Sequence, residues 1–244
     1  MSRHIFVDNA NIFSFLRSVK SRLEPDVPAV AVRLHLDHLF DLVENGEHVE
    51  TRAFRGSENR TAEAVWDKAR DRGYDTYILQ RVTSEDGKTS EQAVDEVMHL
   101  LIANAVLDFD ALQTLVIVSG DGKESNFGMS FVSQAGRALR HGWHVEIWSW
   151  SDGMTARYDH LIEQYPGRIK KRLLDHHYYS ISFVEPYEGK LFHHDGAPAS
   201  NRARNAGPVD LRAENMPEPF MRFVPDRTGS DSAAAEIRDE QPWI

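Results

Sequence analysis

Apolar positions along the chain follow two rhythms. Short runs of aliphatic and β-branched residues closed by turn residues predict buried strands, and longer stretches with apolar residues three and four apart predict helices. On this reading strands cover 4–7, 48–54, 74–82, 115–118 and 145–150, with 178–184 as a possible edge strand. Helices cover 9–20, a stretch from Val32 through Val43 that stops at Asn45-Gly46, 61–72, 91–107, part of 127–140, and 154–165. Strand and helix alternate, which predicts an α/β protein: a three-layer α/β/α sandwich around a parallel sheet with right-handed crossovers.

From residue 185 the rhythm fades. Seven of the ten prolines fall in the last sixty residues, and 196–207 has the composition of a linker. The chain therefore divides into a folded domain over 1–184 and an extended, partly disordered tail over 185–244. Two apolar segments of that tail, 216–224 and 242–244, are expected to bury against the domain or within a homo-oligomer.

Two strands end at once in aspartate. Ile5-Phe6-Val7 runs into Asp8, and Val116-Ile117-Val118 runs through Ser119-Gly120 into Asp121. Taken singly, Asp8 reads as a helix N-cap and Asp121 as part of a turn. Strands of a parallel sheet all end on one edge, however, and in a sheet ordered 3-2-1-4-5 the first and fourth predicted strands are neighbours. Asp95 and Glu91, one turn apart at the start of the helix leading to the fourth strand, would then join Asp8 and Asp121 in one crevice. Such a cluster calls for a divalent cation.

Composition narrows the choice of partner. There is no cysteine, so thiolate metal sites and disulfides are excluded and any metal rests on carboxylate or imidazole. The 244 residues carry a formal charge of −10, which argues against binding a polyanion through bulk charge but suits acids awaiting cations. With no apolar run near membrane-spanning length and a core strand reached by residue 4, no membrane association or signal peptide is expected, and the cytoplasm is the default compartment.

Four segments, Phe6-Val7-Asp8-Asn9-Ala10-Asn11, Ala93-Val94-Asp95, Val118-Ser119-Gly120-Asp121-Gly122 and Gly142 through Trp150, in that order and spacing, resemble the NYN family of PIN-like nuclease domains over residues 3–184. The resemblance implies a PIN-like Rossmannoid sheet and metal-dependent hydrolysis of RNA phosphodiesters, an endoribonuclease activity using Mg²⁺ or Mn²⁺. Carried over, it makes Asp8, Asp95 and Asp121 the metal-binding acids, with Asn11 beside them. Many relatives place another acid two residues after the fourth-strand aspartate, where this chain has Lys123. A fourth ligand would come from Glu124, Glu91 or Asp159, while Lys123 would hold a phosphate or stabilise the leaving oxygen. If none of these acids reaches, the domain becomes an RNA-binding adaptor with little cleavage and a partner-recruiting tail.

Arg52, Arg55 and Arg60 around the second strand, and Arg168, Lys170, Lys171 and Arg172 after the sixth helix, are the candidates for flanking phosphates. Trp148 and Trp150 read as core residues rather than as stacking platforms for bases. Phosphate-loop nucleotide binding fits poorly. Ser125 stands where a third glycine would follow Gly120 and Gly122, and Val82 where a loop ending in Gly87-Lys88-Thr89 would begin. The pairs His176-His177 and His193-His194 lack a partner at metal-ligand spacing and read as surface histidines.

Overall fold

A computed structural model describes residues 1–25, 27, 29–57, 63–79, 82–83, 89–90, 94–110, 112–124 and 128–184. The expected tail over 185–244, with Arg60, Glu91 and His193-His194, lies outside the described residues. Six strands, β1 (Arg3–Asp8), β3 (Val49–Ser57), β4 (Asp75–Leu79), β7 (Thr114–Val118), β8 (His144–Ser149) and β9 (Ile169–Leu173), form one sheet in the order β4-β3-β1-β7-β8-β9. Every neighbouring pair is parallel. The five strands read from sequence lie side by side as 3-2-1-4-5, but an unexpected sixth, β9, is added at the β8 edge, so the full strand order differs from the one expected while the α/β class holds.

Helices cover both faces. On one lie α1 (Asn9–Leu23), α2 (Leu36–Glu44), α3 (Glu63–Asp71) and α7 (Tyr178–Ile181), packed with Ile5, Val7, Phe54, Val116 and Val118. On the other lie α4 (Val94–Asp108), α5 (Phe131–Arg140) and α6 (Arg157–Gln164), packed with Phe6, Ala53, Leu115 and Ile117. The period of two along β1 separates the layers, Ile5 and Val7 pointing to one core and Phe6 to the other. The chain winds outward from β1 to β4 under the first helix layer, then crosses through α4 and winds from β7 to β9 under the second. Right-handed crossovers require helices on opposite faces for these two directions.

Three predicted elements differ. Val32–Leu34 is a strand, β2, and α2 starts only at Leu36, where His35 caps it by accepting the His38 amide. The apolar run over 178–184 is not an edge strand of the main sheet. It divides into α7 and β10 (Ser182–Val184), and β10 pairs antiparallel with β2 apart from that sheet. The main edge is taken by β9, whose lysines and arginine mimic the basic end of a helix. Charge of this kind suits an edge strand, because it discourages pairing with another chain. His176 and His177 lie in a 3-10 turn (Leu174–His177), and burial lowers the His177 pKa to about 4. Trp143 and Trp150 are fully buried and Trp148 nearly so, as the core reading requires. Two short strands, β5 (Val82–Thr83) and β6 (Thr89–Ser90), pair antiparallel before α4.

Candidate active site at the carboxyl edge

Strand register brings the first two acids together. Asp8 is paired with Arg55 across β1 and β3, and Val7 with Val118 across β1 and β7, so Ser119 lies beside Asp8 one step beyond β7. Continued to either side, the same row holds Tyr77 on β4 and Ser149 on β8. Side chains at one level of a parallel sheet share a face. Here it is the face of Phe6 and Ile117, which α4 helps to cover.

Ser119 joins the two aspartates. Its hydroxyl donates to Asp8 Oδ2 at 3.5 Å and accepts the Asp121 amide at 3.3 Å. Asn11 Oδ1 accepts the Gly120 amide at 3.1 Å, so the first turn of α1 grips the loop after β7. Both local roles read from sequence are present as well. Asp8 caps α1 by accepting the Asn11 amide at 3.2 Å, and Asp121 Oδ1 accepts the Lys123 amide at 2.8 Å. Beyond its cap, Asp8 also uses Oδ2, which receives the Ser119 hydroxyl and faces Arg55.

The loop is held by close backbone packing. A Cβ on Gly120 would lie 2.0 Å from Gly153 O and 2.4 Å from Ser149 Oγ, and one on Gly122 would lie 2.6 Å from a Thr155 methyl. The Thr155 amide donates to Gly120 O at 3.0 Å. Below the loop Tyr158 is fully buried, and its hydroxyl pKa is raised by burial and then by the charge of Asp121. The hydroxyls of Ser149 and Tyr158 have no hydrogen-bond partner among the described residues.

Asp121, half-buried, opens onto a cavity of about 460 Å³ whose walls include Asn11, Phe15, Lys123, Glu124, Thr155 and Arg157. Arg157 Nη1 donates to Gly122 O at 2.6 Å and to Glu124 Oε1 at 3.1 Å across the mouth. Arg157, Phe15 and Ser119 were not singled out by the sequence reading. Ser119 had a usable signal, since alternation puts it on the face of Ile117. Arg157 had only its place shortly after the fifth predicted strand.

The remaining sequence candidates are placed as follows. Asp95 lies in the first turn of α4. A helix linking parallel strands starts at the edge where the preceding strand ends, so this turn belongs to the carboxyl edge of the sheet. Among the described residues no three Asp, Glu or His side chains gather closely enough to hold a metal ion. The two described carboxylates and the neighbouring amide and hydroxyl are all oxygen donors, the chemistry that Mg²⁺ and Mn²⁺ favour over zinc-type sites. Glu124 reaches the cavity but is paired with Arg157. Asp159 is turned outward to Lys171 at 2.5 Å, away from the buried side of α6 that carries Tyr158.

Most of the proposed phosphate-holding cations are engaged elsewhere. Arg55 is buried, with Nη1 3.9 Å from Asp8 Oδ2. Arg52 donates to Glu44 and Val49 O, and Arg168 to Leu139 O and Trp143 O at 2.6 and 2.8 Å. Arg172 lies 3.9 Å from Glu146 and 5.9 Å over the Trp148 ring, and Lys170 is exposed on edge strand β9. The cations beside the cavity are instead Lys123 and Arg157.

No family model matches the sequence, and no curated protein does. Among solved structures, a Vibrio parahaemolyticus RIMD 2210633 protein of unknown function aligns with 13% identity and a TM-score of 0.47, over 71% of this chain and 94% of that one. No helix among the described residues is long and apolar enough to cross a membrane.

Proposed function

We propose that the chain is a metal-dependent ribonuclease that hydrolyses RNA phosphodiester bonds at the carboxyl edge of its sheet. The observation that supports this most is the meeting of Asp8 and Asp121 on either side of the Ser119 hydroxyl, at the ends of adjacent central strands. Ligands of open α/β sheets bind at such a reversal of strand order. Asp8, Asp121 and Asp95, from the first turn of α4, would hold Mg²⁺ or Mn²⁺. That cation supplies a bound water of lowered pKa and polarisation of the phosphoryl oxygen.

The chain's own groups orient and screen. The Ser119 hydroxyl steadies Asp8, and the amides of Asn11 and Lys123 fix one oxygen of each aspartate. Lys123 and Arg157 offer positive charge for the phosphate flanking the scissile bond and for charge developing on the leaving oxygen. The test is incubation of end-labelled RNA with purified protein in Mn²⁺ or in chelator, for the wild type, Asp8→Asn and Asp121→Asn. Cleavage is expected only in Mn²⁺ and only from the wild type, and product in chelator or from both variants rejects the reading.

One observation favours the alternative of an RNA-binding adaptor with weak or absent cleavage. Arg55 supplies Asp8 with a buried positive charge, which is the role a cation would fill. Calorimetry separates the two readings: Mn²⁺ binding that is lost in Asp8→Asn supports the nuclease, and no heat at any Mn²⁺ concentration supports the adaptor.

A further inference from the structure

We propose that the cavity beside Asp121 is a nucleotide subsite, which stacks one base of single-stranded RNA on Phe15 and holds the adjoining phosphate on Arg157 and Lys123. The inference rests on the RNA reading above and names the part of the substrate that the site grips. At about 460 Å³ the cavity falls within the range of small-ligand pockets, roughly 300–1,000 Å³. One wall is aromatic and its mouth is cationic, while Asp121 forms the boundary with the acidic edge, so a nucleotide seated here adjoins the scissile position.

Phe15 is half-buried, packed against the first core on one side and lining the cavity. A Cβ on Gly153 would lie 2.7 Å from its ring, so the absence of that side chain lets the ring settle against the Ser151–Gly153 turn. A ring held in this way is a ready stacking platform, and base-aromatic stacking tolerates any base. Arg157 is anchored to Gly122 O, and its pair with Glu124 is more than half exposed at both ends, so a phosphate displaces Glu124 at little cost. Two cations and two carboxylates balance in the lining, which leaves an entering phosphate without net repulsion. Thr155 adds a hydroxyl suited to a sugar or phosphate oxygen. A base in a duplex is already stacked between neighbours and would have to unstack to reach Phe15, which selects single strands.

The experiment is fluorescence anisotropy with a labelled RNA heptamer in chelator, where binding is read without cleavage. Wild type, Phe15→Leu, Phe15→Tyr and Arg157→Gln are compared, with AMP and a blunt RNA duplex as competitors. Phe15→Leu keeps an apolar side chain against Gly153, and unchanged melting of each variant shows that the fold is intact. Affinity is expected to fall about ten-fold in Phe15→Leu, the scale of one lost base stack, to stay near wild type in Phe15→Tyr, and to fall in Arg157→Gln. AMP and duplex are expected to compete poorly. Equal affinity in wild type, Phe15→Leu and Arg157→Gln overturns the subsite, and competition by AMP or duplex as strong as by the heptamer overturns its assignment to single strands. Phe15-dependent binding without Mn²⁺-dependent cleavage supports the subsite and removes the ribonuclease reading, whereas cleavage with binding indifferent to Phe15 removes the subsite alone.

Discussion

Arg55 and Asp8 face each other across β3 and β1, both almost wholly buried, with Arg55 Nη1 3.9 Å from Asp8 Oδ2. Removing one partner of a buried pair leaves the other charge uncompensated, at a cost of about 3–5 kcal/mol. Arg55→Leu is therefore expected to lower stability in chelator by about 3 kcal/mol. If Asp8 is a cation ligand, Mn²⁺ should recover more stability in Arg55→Leu than in the wild type, because it then supplies the missing charge. Thermal melting of both proteins with and without Mn²⁺ measures this, and equal Mn²⁺ shifts argue that Asp8 serves the fold alone.

Asp95 tests the third acid. Asp95→Asn is expected to reduce Mn²⁺-dependent RNA cleavage by at least about 100-fold, the scale of losing a group that organises charge in the transition state. Single-turnover cleavage measures it, and wild-type rates would remove Asp95 from the site.

The loop after β7 cannot accept a side chain at its first glycine. In Gly120→Ala the new methyl meets the Gly153 carbonyl and Ser149 Oγ, and because the first of these is backbone, the loop itself must shift. Overpacking of this kind costs about 1–3 kcal/mol, and more where backbone must move. Urea unfolding should show that loss, together with weaker Mn²⁺ binding as Asp121 is displaced.

His4 is fully buried between Phe109 and Trp143, its Nδ1 bonded to Thr51 Oγ1, and burial lowers its pKa from 6.5 to about 4. In the folded protein it stays neutral down to that value, while the unfolded chain takes up the proton below 6.5. Acid therefore favours unfolding: stability is full above pH 6.5 and is lost as pH falls toward 4, at about 1.4 kcal/mol per pH unit and about 3 kcal/mol in all. Urea midpoints at pH 7 and pH 5 measure the slope, which should be shallower by about one proton in His4→Phe.

Arg168 reports on the basic residues that sequence suggested for RNA. Its guanidinium serves the carbonyls of Leu139 and Trp143. Arg168→Ala is expected to lower stability by about 1.5–3 kcal/mol, the range for hydrogen bonds from a charged group, and to leave RNA affinity unchanged. Anisotropy and urea unfolding on the same variant check both parts.

The residues that sequence read well are those governed by periodicity. Apolar runs ending in Asp8 and before Ser119 located the central strands, and the alternation of elements indicated a parallel sheet between helix layers; the strand order does not follow from alternation and rests on the doubly wound pattern. Periodicity failed where polar residues mask a strand, as in Ile169–Leu173, or where an extended segment abuts a helix, as at Val32–Leu34. Within the site, sequence identified the aspartates but not their company. Arg55, a phosphate candidate by its place at the end of a strand, is buried because burial depends on what covers that strand end, here the layer containing α4. Arg157 and Phe15 reach the cavity from α6 and α1, and no spacing rule links those helices to the loop after β7. Asp159 pairs with Lys171 of β9, a strand that periodicity does not reveal, so its engagement is invisible in the sequence.

The row from Tyr77 through Arg55, Asp8 and Ser119 to Ser149 is aligned by the backbone ladder of the sheet, not by the loops that join its strands. Inserted residues between elements would therefore leave the chemical groups in line. Deleting one residue inside β1 would invert everything beyond the cut, bringing Asn9 to the level of the crevice and turning the Asp8 carboxylate under the opposite helices. For this protein an error in strand pairing is at once an error in chemistry, so the central strands have far less freedom to change length than the turns around them.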